Sequence, residues 1–341
     1  MNLMTWEFTG GPFHFGRRGL GQEVTAAGFS SDSLFAALVS RLADLEGAKA
    51  IDAFMEPFLN GLSPFVLSSL FPRAAGIRFF PVPAFRSKGE LKTGISHKDM
   101  KKVRFLSEKL FKRVIGGEDL AAIYPDTCKF QGGSLLADAS EAKEIPSIIW
   151  KEEKRPRVTL DRQSQQSTLF FTGEVHFSPG CGLWMAAEIR DASILTRLDS
   201  LLNEVGEAGL GADRSAGLGR CSVVRGNDLD LPEPKPDGFM VTLGRFLPKK
   251  DEALTFMKEG CAYKLETIGG WITSPLEMNQ RRRIVRMVSE GAVLGSLPSP
   301  AGDLVDVRPV YGGKAGLDHP VWRNGQVLAA AYLPPVKGDV L

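Results

Sequence analysis

Cysteine, histidine and long apolar runs are scarce in this 341-residue chain, and each scarcity excludes a class of protein. Cys128, Cys181, Cys221 and Cys261 are scattered and form no CxxC pair, which argues against a zinc site or a disulfide framework. Each is therefore expected to be a small buried residue. No apolar run could span a bilayer, and the N-terminus lacks a basic region followed by an apolar core. We expect a cytoplasmic protein with no metal, cofactor or membrane contact.

Recognisable catalytic motifs are also missing. The histidines show no HxH or HxxxH spacing and no Ser or Cys nucleophile motif beside them, and the carboxylates form no recognisable pair. His14, just before Arg17 and Arg18 at the end of the first predicted strand, is the only credible general base. The favoured alternative is that His14 hydrogen-bonds a ligand or caps a turn.

What the chain does contain is a loop with four glycines, Gly209, Gly211, Gly217 and Gly219, interleaved with Arg214 and Ser215. A run of helical period precedes the loop and a strand-like run follows it. A dinucleotide-binding GxGxxG must instead follow a strand, and a Walker loop needs Gly-Lys-Ser/Thr. Glycines let the backbone approach a ligand closely and can point successive N–H groups at an anion. The loop is therefore predicted to bind an anionic ligand, the alternative being a turn that needs positive φ.

The order of predicted elements is that of a ferredoxin-like domain with material inserted in its middle. We expect a strand between Leu3 and Phe15, a helix that begins after Ser30, and strands at 63–71 and 77–85. A strand at 182–190, a helix at 192–205 closed by Gly206, and a strand at 220–225 complete the plan. This predicts a first domain over 1–230, a stiff proline-rich linker near 235, and a β-rich second domain over 237–341.

The insertion, at 86–175, shows no obvious core of its own. Residues 101–113 carry six basic residues against one acid, and 157–175 predict a β-hairpin with a polar tip. Long insertions of this kind are usually functional or mobile. We predict that Leu160 and Phe170 pack the arms of this hairpin.

Basic residues occur in three separate places: Arg17 with Arg18, the 101–113 run, and 281–283 with Arg286. Single-stranded RNA is bound by cations and amides on its phosphates and by planar groups that stack on its bases. In a ferredoxin-like plan, the loops after the first strand and before the last strand reach the same groove. Arg17, Arg18 and Ser31 are therefore expected beside the glycine loop. Any one basic run taken alone is more simply a solvated surface.

Four segments, in this order, resemble the RAMP superfamily of CRISPR proteins: Phe13-His14-Phe15-Gly16, the helix start from Ser30 to Leu38, Thr159-Leu160-Asp161-Arg162, and 209–219. The nearest resemblance is to the Cas-five-like subunits of the type III-A Csm effector complex, the Csm-four family, and it spans nearly the whole chain. It implies an α+β fold of two ferredoxin-like (RRM-like) domains with an inserted β-hairpin thumb. It also implies that the chain is not a nuclease.

The resemblance implies partners as well. These are the 5′ tag of the crRNA, target RNA near the tag, the large Cas-ten subunit and the Csm-three backbone subunit, in antiviral defence. The residues expected to bind RNA are His14, Arg17, Arg18, Ser31, Ser33, Arg162, Gly209, Gly211, Arg214, Ser215, Gly217 and Gly219. An acid at Asp213 departs from the commoner loop pattern, so Asp213 is expected to point away from RNA or to pair with Arg214.

Two alternatives to a non-catalytic crRNA-binding subunit stay open at this point. One is a metal-independent RAMP endoribonuclease that processes precursor crRNA with His14 as its base. The other is an assembly scaffold that makes no contact with RNA.

Overall fold

The structure is a computed structural model that describes residues 1–16, 24–84, 97–161, 166–272, 280–312 and 314–335. In these ranges the helices are α1 (Ser31–Glu46), α2 (Ala48–Leu59), α3 (His97–Lys102), α4 (Glu108–Ile115), α5 (Leu120–Ile123) and α6 (Leu195–Ala208). The strands of the N-terminal part are β1 (Asn2–Gly10), β2 (Phe65–Leu67), β3 (Phe71–Ala74), β4 (Ile77–Pro81), β5 (Phe105–Ser107), β6 (Thr127–Phe130), β7 (Leu135–Asp138), β8 (Trp150–Leu160), β9 (Ser167–Phe177), β10 (Cys181–Ile189), β11 (Cys221–Arg225) and β12 (Leu229–Asp230).

The C-terminal part is built almost wholly of short strands. They are β13 (Phe239–Thr242), β14 (Leu265–Ile268), β15 (Trp271–Ile272), β16 (Gln280–Arg281), β17 (Val285–Val288), β18 (Val293–Gly295), β19 (Leu304–Asp306), β20 (Val310–Tyr311), β21 (Lys314–Ala315), β22 (Trp322–Asn324) and β23 (Ala329–Tyr332). Strands β18, β13 and β23 form a three-stranded sheet, and most of the others pair two by two.

One large mixed sheet organises the N-terminal part. Ten of the described strands belong to it, in the order β11-β1-β10-β3-β4-β5-β7-β6, with β12 beside β1 and β2 beside β10. Strands β5 and β7 pair in parallel, whereas β1 pairs antiparallel with both β10 and β11. The first strand therefore lies between the strands that precede α6 and follow the glycine loop. This confirms the α+β class.

Helix α1 covers this sheet through one apolar face. Ser30 is the N-cap with an extended backbone, and Leu34, Phe35, Leu38 and Leu42 are buried at helical spacing. Gly47, at φ 79°, ends the helix. Helix α2 follows at once and was not predicted. It packs Phe54 and Phe58 against Phe35, so α1 and α2 share an aromatic cluster.

Gly206 does not close α6, contrary to expectation. The helix continues to Ala208, and Gly209, at φ 95°, is its C-cap. A Cβ on Gly206 would lie 2.6 Å from the carbonyl oxygen of Cys221 and 2.8 Å from Val223 Cγ2. The glycine is needed because it lets α6 pack closely on β11.

Residues 97–149 of the insertion have no core of their own, but their apolar side chains join the core of the N-terminal part. Strands β5, β7 and β6 extend the edge of the large sheet, so Leu106, Leu136 and Phe111 are fully buried. The rings of Phe80 and Phe111 stack with centroids 4.4 Å apart, which joins α4 to β4. The insertion thus shares the core of the N-terminal part instead of forming a separate one.

The basic run at 101–113 is largely a paired, solvated surface. Lys109 lies 3.0 Å from Asp138, Lys112 lies 2.8 Å from Glu108, and Arg113 lies 2.6 Å from Glu118. Hydrogen bonds from Ser140 and the charge of Lys109 lower the pKa of Asp138 to about 2. These cations are already neutralised within the chain, which weakens their case as an RNA-binding run.

The cysteines are all free, but only Cys181 and Cys221 are buried. Burial raises the pKa of Cys221 to about 12, so this thiol is inert at neutral pH. Cys128 and Cys261 are half-buried, which corrects the expectation that all four lie inside. In the described part of the chain, no helix has the length and apolar character that crossing a membrane requires.

Candidate RNA-binding site

The glycine loop lies between the end of α6 and the start of β11, beside the segment that follows β1. Leu210 and Leu218 are buried, and the amide of Leu210 donates to the carbonyl of Gly219 (2.8 Å), which closes the loop at its base. The amide of Gly219 donates to Pro12 (2.7 Å) and that of Ala212 to His14 (3.0 Å). The loop is therefore held to the 12–14 segment by backbone hydrogen bonds and anchored by two leucines.

Three of the four loop glycines are explained by packing within the protein. A Cβ on Gly211 would lie 2.5 Å from the carbonyl oxygen of His14, and one on Gly209 would lie 2.8 Å from that of Leu218. A Cβ on Gly219 would overlap the backbone of Leu210. All three have positive φ, so no other residue fits both the space and the backbone conformation.

Gly217 differs from the other three. Its φ is 86°, yet nothing in the structure lies within 4 Å of the position that its Cβ would take. The residue is exposed, as are its neighbours Arg214 and Ser215 in the single 3-10 turn Arg214–Ala216. Gly217 is thus the loop glycine with open space for a ligand to approach the backbone.

Asp213 initiates that turn in the left-handed conformation, at φ 56° and ψ 29°. Its carbonyl oxygen accepts from the amide of Ala216 at 2.9 Å. A short polar side chain is among the few that tolerate this conformation. This accounts for an acid at a position where the sequence departs from the commoner loop pattern. The described residues show no ion pair between Asp213 and Arg214.

His14 joins the glycine loop to the hairpin of β8 and β9. Its carbonyl oxygen accepts from Ala212, and its Nδ1 lies 2.6 Å from the carbonyl oxygen of Gly173 in β9. Since a carbonyl only accepts, Nδ1 carries a proton. The side chain is 4% exposed. His14 therefore connects the glycine loop to the hairpin. The direct contact with RNA that the sequence predicted for it does not fit its burial.

The hairpin is anchored at its base to the same segment. Phe13 and Val175 exchange both backbone hydrogen bonds, at 3.0 and 2.8 Å, and Phe13 packs on Phe15 and Phe177. Beyond this base, β8 and β9 pair along their full length, from Trp150 with Phe177 to Leu160 with Ser167. The end of β1, the glycine loop and the hairpin base thus meet in one place.

Leu160 does not pack the hairpin arms, contrary to expectation. It is 67% exposed, and Val158, Leu169 and Phe171 on the same face of the hairpin are exposed as well. Phe170, on the other face opposite Arg157, is half-buried. The arms are held by backbone pairing, and one face presents apolar side chains to solvent.

Two arginines on the hairpin escaped the sequence reasoning. Arg155 and Arg157 lie 3.0 and 3.7 Å from Glu174, whose side chain is 3% exposed. The basic run Lys154-Arg155-Pro156-Arg157 was the available signal. Because Glu174 follows Gly173, the partner of His14, these guanidinium groups belong to the hairpin base near the glycine loop.

Ser31 and Ser33 lie at the start of α1, in a different setting. Ser31 is buried, donates its amide to Ser69 Oγ (2.9 Å) and accepts the amide of Arg245 on its Oγ (2.9 Å). Ser33 is half-buried and accepts a hydrogen bond from Ser30 Oγ at 3.1 Å. Ser31 therefore ties α1 to the C-terminal part, and its burial does not fit direct contact with RNA.

Between these serines, Asp32 forms a buried ion pair that the sequence did not reveal. Asp32 is fully buried and its Oδ2 lies 3.1 Å from Arg323 of β22, which is 5% exposed. Burial, together with repulsion from Arg245, lowers the pKa of Arg323 although Asp32 opposes this. The helix start is thus an electrostatic connection between the two parts of the chain.

The predicted contacts Arg17, Arg18 and Arg162 lie outside the described residues. In the part of the chain that is described, no group of three or more His, Cys, Asp or Glu side chains could hold a metal ion.

Comparison with known proteins gives a consistent result. The model of the CRISPR Csm4 C-terminal domain family matches residues 235–331. A CRISPR system protein Csm4 from Methanocaldococcus jannaschii is 26% identical over 336 residues, which cover 87% of this chain and 86% of that protein. One from Thermococcus onnurineus is 23% identical over 301 residues, covering 86% and 88%.

Solved structures show the same fold. A chain in the crystal structure of a Csm3–Csm4 subcomplex of the type III-A CRISPR-Cas interference complex matches with a TM-score of 0.64 at 19% identity, covering 98% of this chain and 100% of that one. A chain in a Csm1–Csm4 cassette in complex with pppApA matches with a TM-score of 0.58 at 16% identity, covering 98% and 99%.

Proposed function

The chain belongs to the Csm4 family of RAMP proteins, and we propose that it is the subunit of a type III-A Csm effector complex that binds the 5′ tag of the crRNA. One observation carries this proposal. The glycine loop is fixed against the end of β1 and the hairpin base, while Gly217, Arg214 and Ser215 stay exposed on its outer side. A rigid backbone with open approach and a cation beside it suits a phosphate of single-stranded RNA.

Within this proposal the expected contact residues divide into two groups. Arg214, Ser215 and Gly217 would face RNA, joined by Arg17, Arg18 and Arg162 of the sequence prediction. Arg155 and Arg157 of the hairpin would join them, because these two cations share the single carboxylate of Glu174 and keep a net positive charge. His14, Ser31, Gly209, Gly211 and Gly219 would position that surface, because each is buried or packed against backbone. Ser33 lies with Ser31 at the start of α1.

The proposed partners follow from the family. Csm4 chains occur with Csm3 in one solved complex and with Csm1 in another. We therefore assign this chain to a place between a Csm3 backbone subunit and a large Csm1 subunit, which takes the role expected of Cas-ten. The two parts of the chain would be the two ferredoxin-like domains, 1–230 and 237–341.

The hairpin of β8 and β9 would be the thumb, and the exposed face of Val158, Leu160 and Leu169 its wedge against guide–target pairing near the tag. Separating one base step costs a few kcal/mol, which inserted apolar side chains can offset by packing against the bases. Deleting 162–168 should cost tag binding no more than the contact of Arg162 and should restore pairing of the nucleotide nearest the tag in a footprint. A footprint that the deletion does not change would refute the thumb.

The direct test of the function is co-purification from cells that express the whole complex, followed by sequencing of the RNA that stays bound. We expect crRNA with a tag protected by this subunit. Variants Arg214→Ala and Gly217→Val should lose tag protection and keep both protein partners. If both variants keep tag protection as well as both protein partners, the chain is an assembly scaffold.

An endoribonuclease is the competing function, and the position of His14 argues against it. A general base must reach the attacking hydroxyl, whereas this ring is buried and its Nδ1 is occupied by Gly173. Incubating the purified protein with repeat RNA in EDTA should give no cleavage. Cleavage that His14→Ala abolishes would establish the nuclease instead.

A further inference from the structure

The carboxylate of Glu174 is a buried anion at the base of the β8–β9 hairpin. Its side chain is 3% exposed, and three basic side chains contact it. Its Oε2 lies 3.0 Å from Nε of Arg155 and 3.2 Å from Nε2 of His176, and its Oε1 lies 3.7 Å from Nη2 of Arg157. Burying a charge is costly unless it is paired, so these contacts allow the carboxylate to lie inside the protein.

The backbone on both sides of Glu174 is fixed. The carbonyl oxygen of Gly173 lies 2.6 Å from Nδ1 of His14, and Val175 exchanges two backbone hydrogen bonds with Phe13. Glu174 therefore cannot shift along the hairpin without breaking the contacts that join the hairpin to the end of β1. The carboxylate is thus a fixed point that can restrain longer, more exposed side chains.

Arg155 and Arg157 lie on one face of β8, two residues apart. Alternate residues of a strand share a face, and Glu174 lies on the same face of β9, opposite Glu153. Two residues of a strand span about 6.7 Å, which is similar to the spacing of neighbouring phosphates along an extended RNA strand. Pro156 separates the two arginines, and its ring fixes φ at that position. The backbone therefore sets the spacing of the arginines, and only their long side chains need restraint.

The two guanidinium groups can contact Glu174 and a second acceptor together. The side chain of Arg155 is 56% exposed and that of Arg157 is 27% exposed, so both reach solvent. A guanidinium has five N–H donors in a planar fork, and a contact through Nε leaves its terminal N–H groups for another partner. The geometry therefore suits a side chain that is held on its inner side and binds an anion on its outer side.

We propose that Glu174 is a positioning residue that holds Arg155 and Arg157 with their terminal N–H groups toward two successive phosphates of the bound RNA. The inference rests on the proposed function, which supplies RNA as the ligand of this surface. A long side chain loses conformational freedom on binding, and one that is already restrained loses less. Glu174 therefore strengthens RNA binding although its own charge repels the phosphates.

The direction of one effect separates positioning from simple charge. Glu174→Gln removes a negative charge and keeps the shape of the side chain, so repulsion alone predicts tighter binding. Positioning predicts the opposite: the affinity of the full chain for RNA that carries the 5′ tag should fall about threefold to tenfold. The log–log salt slope should fall as well, toward that of Arg155→Ala, which loses about 0.7 with one phosphate contact. Glu174→Asp keeps a carboxylate and should recover part of the affinity.

Two control variants come from the same chain. Glu153→Gln removes an exposed carboxylate opposite Glu174, whose ion pair is with His176 at 3.7 Å. Because this change removes the same charge at a neighbouring position, it should not weaken RNA binding. Lys49→Ala, which removes an exposed charge from α2, is the control for a lost cation.

Arg155→Lys tests the proposal with the buried carboxylate in place. An ammonium keeps the charge but lacks the fork, so it cannot contact Glu174 on one side and a phosphate on the other as a guanidinium does. Arg155→Lys should therefore lose most of the affinity that Arg155→Ala loses. This variant decides the matter if urea unfolding shows that Glu174→Gln does not fold.

Binding by a folded Glu174→Gln that is as tight as the wild type or tighter overturns the proposal. So does wild-type affinity in Arg155→Lys. If Arg214→Ala weakens binding in the same experiment, only the role of Glu174 is wrong. If Arg214→Ala also binds like the wild type, the proposed function fails together with this inference.

Discussion

Nδ1 of His14 lies 2.6 Å from the carbonyl oxygen of Gly173, and the carbonyl of His14 accepts from the amide of Ala212. One buried residue thus connects the first strand, the β8–β9 hairpin and the glycine loop. The connection explains why a histidine without catalytic partners stands beside the proposed RNA-binding surface. It fixes the loop relative to the hairpin.

Replacing His14 should therefore lower the stability of the fold and should not affect a catalytic step. His14→Ala leaves the carbonyl of Gly173 buried without a donor, which costs about 1–3 kcal/mol. His14→Asn can place an amide N–H near the position of Nδ1 and should recover part of that loss. Urea unfolding of the two variants measures the difference. Equal stability of both variants and the wild type would show that the hydrogen bond contributes nothing.

The loop glycines should separate into a structural class and a ligand-facing class. Gly211→Ala places a Cβ against the carbonyl of His14 and should lower the unfolding midpoint. Gly217→Asn meets open space, and asparagine tolerates a left-handed backbone, so stability should stay near that of the wild type. Tag affinity should nevertheless fall in Gly217→Asn. Thermal unfolding and RNA binding, measured on the same samples, give the comparison.

Removing one partner of the buried ion pair between Asp32 and Arg323 should strongly destabilise the fold. Asp32→Ala leaves Arg323 buried and unpaired, which costs about 3–5 kcal/mol. The double variant Asp32→Leu with Arg323→Met removes both charges and should recover most of that loss. Denaturant midpoints of the single and double variants test this. A double variant less stable than Asp32→Ala would contradict it.

Stability should also depend on pH through Asp138. Hydrogen bonds from Ser140 and the charge of Lys109 lower its folded pKa to about 2, below the ordinary value of about 3.9. A lowered carboxylate pKa stabilises the fold above the unfolded value, and this contribution disappears as pH falls through the folded value. Asp138→Asn should therefore be less stable than the wild type at pH 7, with the gap closing between about pH 4 and pH 2. A gap constant with pH would exclude the effect.

Local patterns in the sequence predicted helix α1 and the two elements that flank the glycine loop, α6 and β11. The apolar periods of α1 and α6 are local signals, and the structure contains both helices. The parallel pairing of β5 with β7 was missed because it joins segments that are distant along the chain. The role of Gly206 was misassigned for a similar reason. The atom that leaves no room for a side chain at Gly206 is the carbonyl oxygen of Cys221, which lies on the other side of the loop. The ion pair of Asp32 was missed because its partner, Arg323, lies 291 residues away.

The exposed side of the glycine loop is proposed to bind RNA phosphate, and the salt dependence of binding tests this most directly. Affinity for RNA that carries the 5′ tag is measured from low to high salt for the wild type, Arg214→Ala and the control Lys49→Ala. We predict that Arg214→Ala weakens binding and lowers the log–log slope by about 0.7, while the control leaves the affinity for tagged RNA near that of the wild type. Slope and affinity in Arg214→Ala identical to the wild type would contradict the account.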